Sequence, residues 1–271
     1  MASIENKGTA LITGASSGIG AIYADRLARR GYDLILVARN QDRLQALAAR
    51  LSNETGRTAG ILVADLNDTV GLASVETVLR SNAAITLLVN NAGVGAAAPL
   101  LQSDLAKMHD LITLNVVAPT RLTYAAVPSF VARGTGAIIN ISSIVAVAPE
   151  ILNGVYGGSK AFVLAFSQSL HHELAGKGIR VQAVLPGATA TEFWDIAGLP
   201  VENLPQEMVM SVDEMVDASL AGFDQGELVT IPSLPDLAEW DAFDAARRAM
   251  APRLSLTAAA PRYRAGFPLA A

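Results

Sequence analysis

The sequence predicts an α/β domain built on a doubly wound parallel sheet of about seven strands, and three observations carry that expectation. Short apolar runs alternate with longer segments of helical periodicity from Thr9 to about Ile231, and strands that alternate with helices need crossover connections and hence a parallel sheet. A glycine-rich stretch, Gly14-Ala15-Ser16-Ser17-Gly18-Ile19-Gly20, separates the first apolar run from the first helical pattern. Later runs end in small and polar residues, Asp65-Leu66 and Asn90-Asn91-Ala92-Gly93, at the strand ends where an open parallel sheet binds its ligands.

Taken in order, Thr9 to Thr13 is the first strand and Ile22, Leu27 and Ala28 mark the helix after the loop. Gly14, Gly18 and Gly20 allow a sharp turn and a close approach to the helix N-terminus, where free N–H groups and the helix dipole favour a phosphate. The second strand, Asp33 to Ala38, ends in Arg39-Asn40. A dinucleotide fold reads the adenosine ribose at this point, with a carboxylate for NAD. Here Arg39 either takes a 2′-phosphate, through charge-assisted bonds worth about 1.5–3 kcal/mol each and a preference of roughly 10- to 100-fold for NADP, or simply begins the next helix. Ile61 to Ala64 and Ile85 to Val89 are the third and fourth strands. A long helix capped by Ser103 is expected to run to about Ala132. Pro119 lacks an N–H, so the carbonyl of Asn115, four residues earlier, loses its helical partner and the helix kinks. That carbonyl and the Asn115 side chain are expected to face the cleft and anchor a water that reaches Lys160. Ala137 to Ile141 forms the fifth strand and ends in Ser142-Ser143, and Val181 to Leu185 forms the sixth.

The 271 residues carry a formal net charge of -5, which argues against a nucleic-acid partner. There is no Cys, so disulfides, thiolate nucleophiles and Cys-ligated metals are excluded, and a reducing, cytoplasmic setting is expected. His109, His171 and His172 are the only histidines, none in a His-Glu-x-x-His arrangement, so no metal site is expected. No apolar run approaches the ~18 residues of a membrane span, and Met1 to Lys7 shows no signal pattern.

Tyr156-Gly157-Gly158-Ser159-Lys160 holds a phenol and an ammonium one helical turn apart. At about 5 Å and an effective dielectric of about 20, the cation favours the phenolate by roughly 3 kcal/mol, which suits proton transfer. Alone, such a pair describes an ordinary helix surface equally well.

Thr13-Gly14-x-x-x-Gly18-x-Gly20, Asn90-Asn91-Ala92-Gly93, a helical Asn115, Ser143, Tyr156-x-x-Ser159-Lys160 and Pro186-Gly187 stand in this order between about residues 8 and 192. Together they resemble the short-chain dehydrogenase/reductase family in its shorter, single-domain branch. The resemblance implies a Rossmann-type sheet with strand order 3-2-1-4-5-6-7 and an active site of Asn115, Ser143, Tyr156 and Lys160. It implies cofactor contacts from Gly14, Ser16, Ser17, Gly18, Ile19 and Gly20 at the phosphates, and from Asp65, Leu66, Asn91, Ala92 and Gly93 along the adenosine. Tyr156 and Lys160 would also meet the cofactor, Lys160 holding the nicotinamide ribose, with Pro186, Gly187, Thr189 and Thr191 beside the nicotinamide. Many NADP-preferring relatives carry a basic residue at the position of Ser17, so Arg39 is the main support for NADP(H) over NAD(H). Ala146 stands where a Gly is frequent.

The stretch Thr191 to Pro200 combines bulky apolar residues with breakers and reads as part of a substrate lid over about 188–211, or as a surface loop folding its aromatics inward. A helix from about Val212 to Asp224 leads to a last strand over Gly226 to Ile231. An extension over about 232–271, with a helix near Asp236 to Met250 and Arg247, Arg248, Arg253, Arg262 and Arg264, completes a single expected domain. The expected activity is NADP-dependent hydride transfer between nicotinamide and a carbonyl or alcohol of a small to medium, mainly apolar substrate, in a homodimer or homotetramer. Alternatives are an NAD-dependent hydroxysteroid- or acyl-type dehydrogenase and an NADP-binding sensor without turnover. A complete set of Ser143, Tyr156 and Lys160 counts against the sensor, which needs no proton donor.

Overall fold

The computed structural model describes residues 6–263. Met1 to Glu5, and Arg264 with the tail that follows it, lie outside the described residues. The chain divides into two compact units, Met1–Pro232 and Ser233–Ala271.

In the first unit strands and helices alternate as β1 (Thr9–Thr13), α1 (Gly18–Arg29), β2 (Asp33–Ala38), α2 (Gln41–Thr55), β3 (Ala59–Val63), α3 (Thr69–Ser81) and β4 (Ile85–Asn90). They continue as α4 (Leu105–Ile112), α5 (Ala118–Arg133), β5 (Gly136–Ile141), α6 (Gly154–Leu174), β6 (Ile179–Val184), α7 (Phe193–Ala197), α8 (Val212–Gln225) and β7 (Val229–Thr230). The strands form one parallel sheet in the order β3-β2-β1-β4-β5-β6-β7. Successive side chains of a strand face opposite ways. Ile12 therefore joins α1, α2 and α8 in a core with Tyr23, Leu44 and Leu220, while Leu11 joins α3, α5 and α6 through Leu79, Phe130 and Leu170. With helices on both faces, the rim at the strand C-termini is where an open parallel sheet binds its ligands.

Caps account for several boundaries. Asn40 and Asp68 accept the N–H of Arg43 and of Gly71 to start α2 and α3, and Ser211 accepts that of Glu214 to start α8. Four expectations are corrected. Asp104, not Ser103, caps the helix after β4, by accepting the Ala106 N–H. The long helix expected from 103 to 132 is two helices, because a π-helical turn at Thr113–Val117 joins α4 to α5 directly before Pro119. Without an N–H on Pro119 the regular ladder cannot continue, and a wider turn absorbs the break. The last strand shrinks to Val229–Thr230 because Gly226 and Glu227 donate to the final turn of α8. Third-strand pairing starts earlier than expected, with Leu34 opposite Ala59.

The second unit contains α9 (Leu237–Ala249), capped by Asp236. Asp244 pairs with Arg247 and Arg248 along its surface. No helix among the described residues is long and apolar enough to cross a membrane.

A buried polar chain fixes α5 and α6 against β4 and β5. Asn90 on β4 donates to Thr123 on α5 and to Asn140 on β5, and Asn140 donates to Ser167 on α6, whose hydroxyl donates to the Val163 carbonyl. All four side chains are buried, so each bond matters through the cost of leaving its partner unmade. Asn140→Ala is expected to lower stability by about 2–3 kcal/mol. Ser169→Ala, which removes an exposed bond to Glu173, should change it by less than about 0.5 kcal/mol. Urea midpoints at unchanged slope test the contrast.

Candidate active site

A cleft of about 720 Å³ runs along the strand C-termini. Of the residues singled out in the sequence, Gly14, Ser16, Ser17, Gly18, Ile19 and Arg39 line one end. Asp65, Leu66, Asn91, Ala92 and Gly93 line the middle. Ser143, Tyr156, Lys160, Pro186, Gly187, Thr189 and Thr191 line the far end. Gly20 and Asn115 stand behind the wall.

The glycine loop is held by β4. The Thr13 hydroxyl accepts the N–H groups of Asn91 and Ala92, each at 3.0 Å, and the Asn91 amide donates to the carbonyls of Thr13 and Gly14 at 2.8 and 3.2 Å. A Cβ on Gly20 would sit 2.5 Å from the Asn91 amide nitrogen, so only glycine permits that closeness. The N-cap of α1, Ser17, makes no side-chain capping bond and the first turn has no acidic residue. Free N–H groups therefore face the cleft with the positive end of the helix dipole. Among the described residues Arg39 makes no hydrogen bond or ion pair. An anion-binding end with an available guanidinium fits a phosphorylated dinucleotide.

At the other end β5 delivers Ser142 and Ser143, and α6 delivers Tyr156 and Lys160. Ser142 donates to the Lys160 carbonyl at 2.7 Å, and Lys160 Nζ donates to the Ile141 carbonyl at 2.9 Å. Ser143 Oγ accepts the Val145 N–H and donates to the Pro186 carbonyl. Ser159 packs rather than facing the cleft: its hydroxyl donates to the Tyr156 carbonyl and accepts from Asn115. Asn115 itself departs from expectation, for its amide is committed to the backbone N–H and C=O of Val94, at 3.0 and 2.9 Å, and to Ser159. The π-helical turn carries it there, and its side chain ties the segment after β4 to α6 instead of facing the cleft.

The electrostatic expectation also changes. Burial pushes the Tyr156 phenol up to about 12, and the Ser143 hydroxyl draws it only partly back. The Lys160 ammonium lies 5.8 Å from the centre of the Tyr156 ring, and burial pushes it down to about 8. Both groups lie within the wall, so lost hydration outweighs their mutual effect.

Sequence reasoning missed how the 188–211 segment covers this end. Met210 pairs with the backbone of Ala188 and Ala190, which joins the segment's two ends. Ala97 donates to the Ala197 carbonyl at its outer edge. The Phe193 ring rests 5.8 Å from that of Tyr156, and Trp194 Nε1 donates to the Thr189 carbonyl. Val145, Leu152, Ile196, Leu199 and Met208 complete an apolar wall. It comes from three separate segments, and no spacing in the sequence announces it. Among the described residues no group of three or more His, Asp or Glu could hold a metal.

The family model described as short chain dehydrogenase matches residues 8–197. Sulfoacetaldehyde reductase 2 of Chromohalobacter salexigens is 39% identical over 186 residues, which are 68% of this chain and 73% of that protein. A short-chain dehydrogenase from Sphingobium yanoikuyae, solved in complex with NADPH, is 54% identical and superposes with a TM-score of 0.92, over 95% of this chain and 100% of that one. An alcohol dehydrogenase of Comamonas testosteroni, described as bulky-bulky ketone specific, is 47% identical with a TM-score of 0.88, over 96% of this chain and 99% of that one. The family match runs from the glycine loop to α7, and the chain accordingly belongs to the short-chain dehydrogenase/reductase family, as an NAD(P)-dependent oxidoreductase acting on alcohol and carbonyl groups.

Proposed function

We propose that this protein is an NADP(H)-dependent carbonyl reductase or alcohol dehydrogenase whose substrate is a mainly apolar compound of at least medium size. The observation that carries the reading is one continuous cleft, with a phosphate-binding loop and an unpaired Arg39 at one end and Ser143, Tyr156 and Lys160 under an apolar cover at the other. The NADPH complex of the Sphingobium relative supports the cofactor, and the description of the Comamonas relative supports bulky ketones.

On this reading the phosphates lie against Gly14 to Gly20, the adenosine along Asp65, Leu66 and Asn91 to Gly93, and the 2′-phosphate beside Arg39. Pro186, Gly187, Thr189 and Thr191 border the nicotinamide, which when bound supplies a hydride to the carbonyl carbon or accepts one from the carbinol. Ser143 donates a hydrogen bond to the substrate oxygen as negative charge grows there, and the Tyr156 hydroxyl hands that oxygen its proton. Lys160 supplies a nearby cation and a partner for the nicotinamide ribose. Asn115 holds Val94 and Ser159 in place, and its backbone carbonyl anchors a water behind Lys160. The 188–211 segment acts as a lid that keeps water from the reacting atoms. Exposed Leu101, Leu105 and Tyr124 support association into a dimer or tetramer, and a cytoplasmic setting completes the reading.

Assays of ketones, aldehydes and alcohols at the nicotinamide absorbance, with NADPH and NADH in parallel, test it directly. Aryl and long-chain ketones are expected to turn over with NADPH, and Tyr156→Phe should lower kcat by about 10²- to 10⁴-fold while NADPH binding stays nearly intact. Normal turnover in that variant would remove the assignment. Arg39→Ala should cut the preference for NADPH over NADH by about 10- to 100-fold. With its phenol held near 12 by burial, Tyr156 keeps its proton at neutral pH, ready for reduction. Alcohol oxidation needs the ionised phenol, so its kcat/KM should climb from about pH 7 to about pH 10 while that of reduction does not.

A further inference from the structure

We infer that Arg43 and Glu192 form an ionic latch across the cofactor cleft, so that a bound dinucleotide leaves only when the pair opens. The inference rests on the cleft being the nicotinamide dinucleotide site. Arg43 is the third residue of α2, and its backbone N–H is held by the Asn40 cap. Glu192 lies 149 residues further along the chain, on the opposite rim. The guanidinium grips the carboxylate through both nitrogens, Nη1 to Oε2 at 2.8 Å and Nη2 to Oε1 at 3.1 Å, the geometry with the most directional strength for an ion pair.

Two further contacts give this pair its position. The Thr191 methyl lies 3.2 Å from where a Cβ on Gly18 would stand, so the chain entering Glu192 crosses directly over the phosphate loop. Glu192 is also the residue from which α7 starts, and α7 lays Phe193 on Tyr156. Closing the latch thus seals the phosphate end of the cleft and holds the cover over the proton donor. Both side chains line the cleft, and each is about half exposed. Such a pair is weak enough to open on its own and screened by salt. A different role would be competition, with Glu192 neutralising Arg43 until a 2′-phosphate displaces it, and the two roles act oppositely on the two cofactors. A latch restrains NADPH and NADH alike, whereas competition concerns only the cofactor that carries the 2′-phosphate.

The test is stopped-flow release of NADPH and, separately, of NADH from the loaded full-length protein, followed by nicotinamide fluorescence. Glu192→Gln is expected to speed release of both cofactors by about two- to fivefold at low salt. The gain should vanish in an Arg43→Gln background and shrink in about 0.5 M salt. The latch is overturned if Glu192→Gln leaves NADH release unchanged, if it slows NADPH release, or if its effect persists undiminished beside Arg43→Gln. A wild-type protein that gives no fluorescence change with either cofactor would instead overturn the functional reading, and the latch with it.

Discussion

The active end of this protein depends on a short double tie between the end of β5 and the second turn of α6. Ser142 donates to the Lys160 carbonyl and the Lys160 ammonium donates to the Ile141 carbonyl. These two bonds help set where Ser143 stands relative to Tyr156, and on the proposed reading a proton donor works only when the separation to its acceptor is held within a fraction of an ångström. Behind the tie, the buried chain from Thr123 through Asn90 and Asn140 to Ser167 fixes the angle of α6 against the sheet. Hydrophobic packing alone is non-directional and would leave that angle softer.

Burial gives the same residues their chemical character. A phenol near 12 and an ammonium near 8 are both biased toward their neutral forms, because the wall denies them hydration. At neutral pH the Tyr156 phenol therefore keeps its proton. On the proposed reading, a negative charge developing on substrate oxygen would meet the Ser143 hydroxyl in a site of low dielectric, where a hydrogen bond to that charge counts for more than in water.

The two ends of the cleft differ in how they are built. The glycine-loop end is mostly backbone, fastened by Thr13 and Asn91, a rigidity that on the proposed reading suits a ligand that is the same in every turnover. Side chains on a segment with joined ends line much of the other end, where shape can vary with little effect on the sheet. Arg43 and Glu192 connect the two regimes.

The sequence by itself determined the doubly wound sheet and the glycine turn between β1 and α1, while Ser143, Tyr156 and Lys160 stood out as a set only through the family resemblance. Alternating periodicities and glycines at a strand-to-helix turn are local signals whose meaning local geometry fixes, whereas a one-turn Tyr-Lys spacing fits a helix surface equally well until Ser143 and the glycine loop stand beside it. The strand order followed from the family resemblance rather than from any spacing, and the topology agrees with it. Only the tertiary structure decided the rest. Asn115 faces Val94 instead of the cleft because a π-helical turn takes up the break at Pro119. Tyr156 is raised rather than lowered because both it and Lys160 are enclosed. Arg43 meets Glu192 because two rims far apart in the chain converge. Burial and long-range approach depend on how whole elements pack, and no window of sequence contains that information.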